Sequence, residues 1–280
     1  MLEPLPEYRV KARNTWAGGE NLIHDDAVAR QHGFRGGLVP GVTVYAYLTQ
    51  PLASALGTAW LARGTASVRF VKPVLEGEEV GVAGAVTARE ATGLSAHVTA
   101  STTAAGECAV ADVTVPAGSP TPVNAALYPE APLPAERPPV SREVLERPGP
   151  LGTPEALYDE ARAAAYLESV ADGLALYRTA QGWVHPAFYL DQANRALDRN
   201  VRPGLWIHVS SRVRHLGGAR VGERLSTRGR VRSLWTKKDR DYVELDLLIT
   251  VGARPVAHII HTAIYRLPDT ASQPAFLKNS

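Results

Sequence analysis

The chain of 280 residues contains one cysteine, Cys108, and one methionine. A single thiol excludes an intrachain disulfide, and cysteine usage of this kind points to a cytoplasmic setting. No run of about 18 apolar residues occurs, so no membrane-spanning helix and no membrane partner are expected. Residues 1–14 lack the basic-then-apolar pattern of a secretory leader. An excess of one charge is also missing: 30 Lys and Arg against 28 Asp and Glu leave +2, too little to argue for a nucleic-acid partner. The arginines of the last third alternate with apolar residues, as on the solvent face of a strand. There is no Gly-x-Ser-x-Gly elbow, no Gly-x-Gly-x-x-Gly after a strand, and no phosphate-binding loop. His208, His215, His258 and His261 lack the spacing of a metal-binding helix. His258 and His261, three apart, fall on opposite faces of a regular strand, so no metal is expected.

What is present is one pattern used twice. Residues 8–16 alternate as a first strand. A polar loop, a short helical run at 25–32 and a Gly33-Phe34-Arg35-Gly36-Gly37 turn lead into an apolar helix from Val42. That helix places Val44, Tyr45, Leu48, Leu52 and Leu56 on one face, Tyr45 and Tyr47 reading as packing residues, and Pro51 is expected to kink or break it. Strands follow at 66–71, 79–87, 94–102 and 108–115, separated by turn residues. Residues 116–150 hold ten of the chain's 21 prolines and read as an extended surface linker. Beyond it, Val68-Arg69, Gly77-Glu78-Glu79-Val80 and Pro40-Gly41 recur as Val213-Arg214, Gly222-Glu223-Arg224-Leu225 and His185-Pro186, all 145 residues later. A second helix from Ala187 and strands at 206–216, 224–234, 242–251 and 256–265 complete an internal duplication. A helix followed by an antiparallel meander is the hotdog pattern. Two copies can join their sheets side by side and so remove two exposed edges. The expected fold is α+β, a double hotdog: an N-terminal unit at 1–115, the linker at 116–155, a C-terminal unit at 156–268, and a tail at 269–280.

Residues 14–50 also carry a motif. Gly18, Asn21, Ile23 and His24, then Gly33-Phe34 and Gly41, match Gly-Asp-x-Asn-Pro-x-His and the turn that follows it in the MaoC-like, (R)-specific enoyl-CoA hydratase family, which the chain resembles. Leu22 stands where that family has proline, and Gly19 where it has its catalytic aspartate. The resemblance implies a 2-enoyl or 3-hydroxyacyl thioester as ligand, bound to CoA or to a carrier protein, and no cofactor beyond that carrier. It implies His24 as acid/base, Asn21 orienting water, and the Gly41 N–H holding the thioester oxygen. Adding water to an enoyl thioester needs these three services. Glu20, beside the missing aspartate, can replace it only if the loop is rearranged, and Asp25 and Asp26 read as caps of the short helix. In the second half Asp172 falls on the motif's Asp and Tyr177 on its His, so the two halves retain complementary parts.

Two other readings stand beside the hydratase. Hotdog thioesterases often use a carboxylate of the central helix, which here is Asp191, with His185 at that helix's start and Asn194 on the same face. Alternatively, the motif has decayed and the chain is an acyl-CoA-binding or structural subunit. A homodimer or a pairing with a homologous hotdog chain is the assembly expected.

Overall fold

The computed structural model describes residues 3–16 and 19–268. Gly18 of the motif and the 269–280 tail therefore lie outside the described residues. The elements, in chain order, open with β1 (Glu3–Pro4), β2 (Tyr8–Lys11), α1 (Asp26–Gln31) and α2 (Gly41–Arg63). The first meander is β3 (Thr65–Phe70), β4 (Glu79–Glu90), β5 (Gly93–Thr102) and β6 (Gly106–Pro116). Then come α3 (Arg142–Leu145), β7 (Glu155–Leu157), α4 (Glu160–Ser169) and α5 (Pro186–Asp198). The second meander is β8 (Ile207–His215), β9 (Arg224–Lys237), β10 (Arg240–Val251) and β11 (Arg254–Arg266).

All the strands join one 11-stranded sheet, ordered β1-β4-β5-β6-β3-β8-β11-β10-β9-β7, with β2 also on β4. The two meanders meet where β3 pairs antiparallel with β8. In that ladder Ser67 lies opposite Arg212, and these two are 145 residues apart, so residues equivalent by the duplication face each other across a local two-fold axis. The same interval relates the isolated bridges Leu38↔Leu75 and Trp183↔Arg220. It also relates two backbone bonds, Val39 N–H to Val74 and Val184 N–H to Ala219. The duplication is thus visible in hydrogen bonding as well as in sequence.

The helices α2 and α5 pack against each other on the face around which the sheet curves. Residues 42–49 of α2 are all buried, on every side of the helix, because sheet and α5 cover it together. The single-face pattern of the sequence understates this. Pro51 does not break α2. The residue with non-helical backbone is Gly57, at φ 55° and ψ −138°, a conformation that suits only glycine. Pro51 lies in the interior of α2 and is buried, so packing around the helix offsets the backbone bond that its ring removes. The first strand is also shorter than the alternation suggests, ending at Lys11 rather than 16.

The proline-rich segment lies along the second unit's sheet and is fixed to it by specific contacts. Tyr128 donates to Asp246 on β10 (2.8 Å), and Arg214 donates to the Thr121 carbonyl (2.9 Å). This cover explains why Asp246, on the outward side of an alternating strand, is only 8% exposed.

Candidate functional site

Asn21 caps a single 3₁₀ turn, Leu22–His24. Its side chain is 3% exposed and every hydrogen-bonding valence is filled. Oδ1 accepts from Ile23 N–H (3.4 Å) and Trp206 N–H (3.2 Å). Nδ2 donates to the Trp206 carbonyl (2.9 Å) and to His24 Nε2 (3.2 Å). The Trp206 pair fixes which end of the amide is oxygen. Asn21 thus ties the loop of the first unit to the entry of β8 in the second and orients His24. With its valences filled, it has none left for the water that the sequence reading assigned to it.

His24 is half-buried. Its Nδ1 is 2.6 Å from the Leu38 carbonyl, which can only accept, so Nδ1 carries the proton and Nε2 is the basic nitrogen. Burial pushes the imidazole pKa below its ordinary value, against a smaller opposing effect of the Leu38 carbonyl, so the neutral base is the resting form near pH 7. The loop is held around it by Asn14, whose amide donates to the His24 carbonyl (2.7 Å). Asp25 caps α1 through Ala27 and Val28 N–H, and Asp26 accepts from Gly37 N–H (2.7 Å). A Cβ at Gly37 would fall 2.3 Å from the His24 carbonyl, so glycine is required for that turn to close.

Asn21, His24 and Gly41 line one cavity of about 260 Å³ between the two units. From the first unit come Phe34, Val44 and Phe70; from the second come Asn194, Trp206, His208 and Tyr242. Lys72 and Arg240 are the cations on its wall. Gly41 opens α2 behind Pro40, which has no capping side chain; the Pro40 carbonyl takes Thr43 and Val44 N–H, which leaves the Gly41 and Val42 N–H without an intrahelical acceptor. A neutral imidazole, a helix N-terminus and an apolar wall are therefore on one surface.

The other sequence candidates lie elsewhere. Glu20 forms a paired-oxygen bridge with Arg137 of the proline-rich segment (2.9 and 3.0 Å), which holds its carboxyl below the usual range, and it is not on the cavity wall. Tyr177 occupies the place of His24 in the second unit: Leu38 N–H bonds to Ile23 and, equivalently, Trp183 N–H bonds to Leu176. Around Tyr177 the space is filled. His185 Nδ1 accepts from Ala187 N–H, its Nε2–H donates to Asp172 (3.2 Å), and both side chains are within 2% of fully buried. Asp172 is thus in a closed second half-site, so the two halves do not pool their motif residues in one cavity. Nor are Asp191 and His185 a pair. Asp191 accepts from Gln192 and from Arg195 (3.2 Å each), burial pushes its carboxyl up, and His185 belongs to Asp172.

The structure adds residues that the sequence pattern did not single out. His208 and Ser211 are three apart on β8, and strict alternation would put them on opposite faces. A register shift places Ser210 opposite Thr262 but His208 opposite Ala263, leaving Val209 as a bulge, and both side chains turn inward. His208 Nε2 then lies 2.8 Å from Ser211 Oγ, which lies 2.9 Å from Nδ1 of His261. His258, as expected, is on the other face, bound to Asp246 (2.8 Å).

No family model matches the sequence, and no curated protein matches it by sequence. Solved structures do match its fold. A protein from Chloroflexus aurantiacus J-10-fl described as a MaoC domain protein dehydratase superposes with a TM-score of 0.67 at 10% identity, over 96% of this chain and 95% of that one. A conserved hypothetical protein of Mycobacterium tuberculosis with a double hotdog fold gives 0.58 at 14% identity, over 93% and 96%. A Lactobacillus plantarum protein described as an oleoyl thioesterase gives 0.52 at 14% identity, over 95% and 98%. The chain has the double hotdog fold found in MaoC-like dehydratases and in thioesterases of the hotdog class.

Proposed function

We propose that this chain catalyses the reversible hydration of a 2-enoyl thioester, with His24 as the single acid/base. The observation that supports this most is His24 itself: a neutral imidazole with a fixed tautomer, its basic Nε2 at a cavity that also holds a helix N-terminus. On binding, a water takes the place of the Asn21 Nδ2–H at Nε2, and Nε2 takes a proton from that water as the water oxygen bonds to C3. Electrons move through C2 to the thioester oxygen, which meets the Gly41 N–H at the positive end of α2. The imidazolium then returns the proton to C2, so one group serves both steps and atoms balance without the aspartate that Gly19 replaces. Asn21 orients the resting imidazole, and the unpaired Asn194 Oδ1 on the cavity wall is an acceptor for the attacking water. Lys72 and Arg240 suit the phosphates of CoA or of a carrier's prosthetic group; no further cofactor is invoked.

The test is to follow loss of enoyl absorbance with 2-enoyl-CoA esters of several lengths, alongside a free-thiol assay. Absorbance loss without thiol, reduced about 10²–10⁴-fold in His24→Ala, is expected. Release of thiol that depends on Asp191 would replace the hydratase reading with a thioesterase. Gly19 favours one second reading, an acyl-thioester-binding subunit. Tight binding of acyl-CoA with no turnover at any chain length would establish that instead.

A further inference from the structure

His208 is a buried histidine that the mechanism above does not use. Its ring is sandwiched by Phe70 (centroids 4.5 Å apart) and His261 (4.2 Å) and lies on the wall of the same cavity. Nε2 is committed to Ser211, whereas Nδ1 has no hydrogen-bond partner although it is buried. A buried polar atom without a partner is unfavourable, and this one belongs to a residue on the cavity wall. Its position is specific: a Cβ at Gly41 would fall 2.9 Å from Nδ1. The free nitrogen therefore adjoins the first residue of α2, whose N–H is the oxyanion donor proposed above.

The geometry points to His208 as a second donor to the thioester oxygen, through Nδ1–H beside the Gly41 N–H, with Ser211 and His261 as positioning residues. This rests on the thioester reading of the cavity. The hydrogen-bond chain permits one consistent polarity when an oxygen anion sits at its cavity end. His261 Nδ1–H donates to Ser211 Oγ, the Ser211 hydroxyl donates to His208 Nε2, and His208 Nδ1–H is left for the ligand. Burial pushes the pKa of His208 far below the ordinary imidazole value and that of His261 down to about 3, so both stay neutral. A neutral imidazole donates without giving its proton away, which suits an electrophile rather than an acid. The bulge at Val209 is what brings Ser211 to the ring, and bulges commonly re-aim side chains beside active sites.

The experiment uses the whole chain with butyryl-CoA carrying ¹³C at the thioester carbonyl, a saturated ester that binds without being hydrated. Isotope-edited infrared difference spectra read the carbonyl band, and ¹⁵N spectra of labelled histidine read the His208 tautomer. The wild type is expected to show a band lowered from its solution position and an Nδ1–H tautomer. His208→Phe should return the band most of the way and lower kcat for enoyl hydration about 10²–10³-fold with little change in KM. His208→Gln, which keeps an N–H donor, should recover part of both. Ser211→Ala, a milder change, should weaken the band shift and mix the tautomers while the fold stays intact. An unshifted band in the wild type, an Nε2–H tautomer in the complex, a band unchanged by His208→Phe, or failure to bind the ester would each overturn the proposal. A His208-dependent band shift with no enoyl turnover would sink hydration and leave this donor standing. Turnover that His208→Phe leaves unchanged would do the reverse.

Discussion

At the scale of single residues, the loop that carries His24 depends on a polar side chain whose bonds are fully used. Asn21 serves two backbone groups of Trp206, in a different unit, 185 positions later in the chain. Asn21→Ala leaves that N–H and carbonyl without partners at about 1–3 kcal/mol each, so urea denaturation should show a loss of a few kcal/mol. His24 governs the pH response. Its folded pKa is depressed, and the base form is the one required. The acid limb of kcat/KM should therefore lie below pH 6.5, with activity level above it and falling as pH drops through the depressed value. A limb at or above 6.5 would assign the titration to another group. The motif histidine was legible in the sequence, because its spacing to Asn21 and to the glycine turn is local. The commitment of Asn21 was not, because its main partner is distant in sequence.

At the scale of elements, backbone conformation decides more than composition does. Gly57 allows α2 to turn before Arg63, and open space surrounds its Cα, so a side chain there would meet strain without collision. Gly57→Ala should cost about 1–3 kcal/mol from backbone conformation alone, read as a lower denaturation midpoint with an unchanged m-value. The proline was the visible punctuation in this helix and the glycine the effective one. Strand β8 teaches a related point. Alternation predicted its extent within a residue or so at each end, yet the bulge at Val209 inverts which face His208 presents relative to Ser211. Such bulges are set by the partner strand and so leave no period in the sequence.

At the scale of the whole molecule, the two units share one sheet and one helix pair, so they should unfold together. Calorimetry is expected to give a single transition with calorimetric and van't Hoff enthalpies in agreement; two resolved transitions would mean that the β3–β8 ladder does not couple the halves. Acid should weaken this unit as a whole. His208, His215 and His261 are buried, with folded pKa values below 6.5, that of His215 at about 4. Between the folded and unfolded values the unfolded chain binds more protons. Stability is thus full above pH 6.5 and falls as pH decreases, by about 1.4 kcal/mol per pH unit for each group in its window. His215 donates from Nδ1 to the Trp60 carbonyl (2.8 Å). His215→Asn retains a donor there and should flatten the decline of Tm between pH 6.5 and 5. An unchanged slope would remove His215 from the acid response.

The sequence by itself determined the repeating unit, the order of its elements and the position of the histidine motif. Each of these is written in local periodicity or in a constant interval, and short-range backbone preferences suffice to express them. The tertiary structure alone decided which half keeps an open cavity. In the second unit Tyr177, His185 and Asp172 fill the equivalent space, and in the first His24 faces a wall built from β8, α5 and the β9–β10 hairpin of its neighbour. That outcome depends on volumes and hydrogen bonds summed across residues far apart in the chain, for which a linear pattern has no local sign.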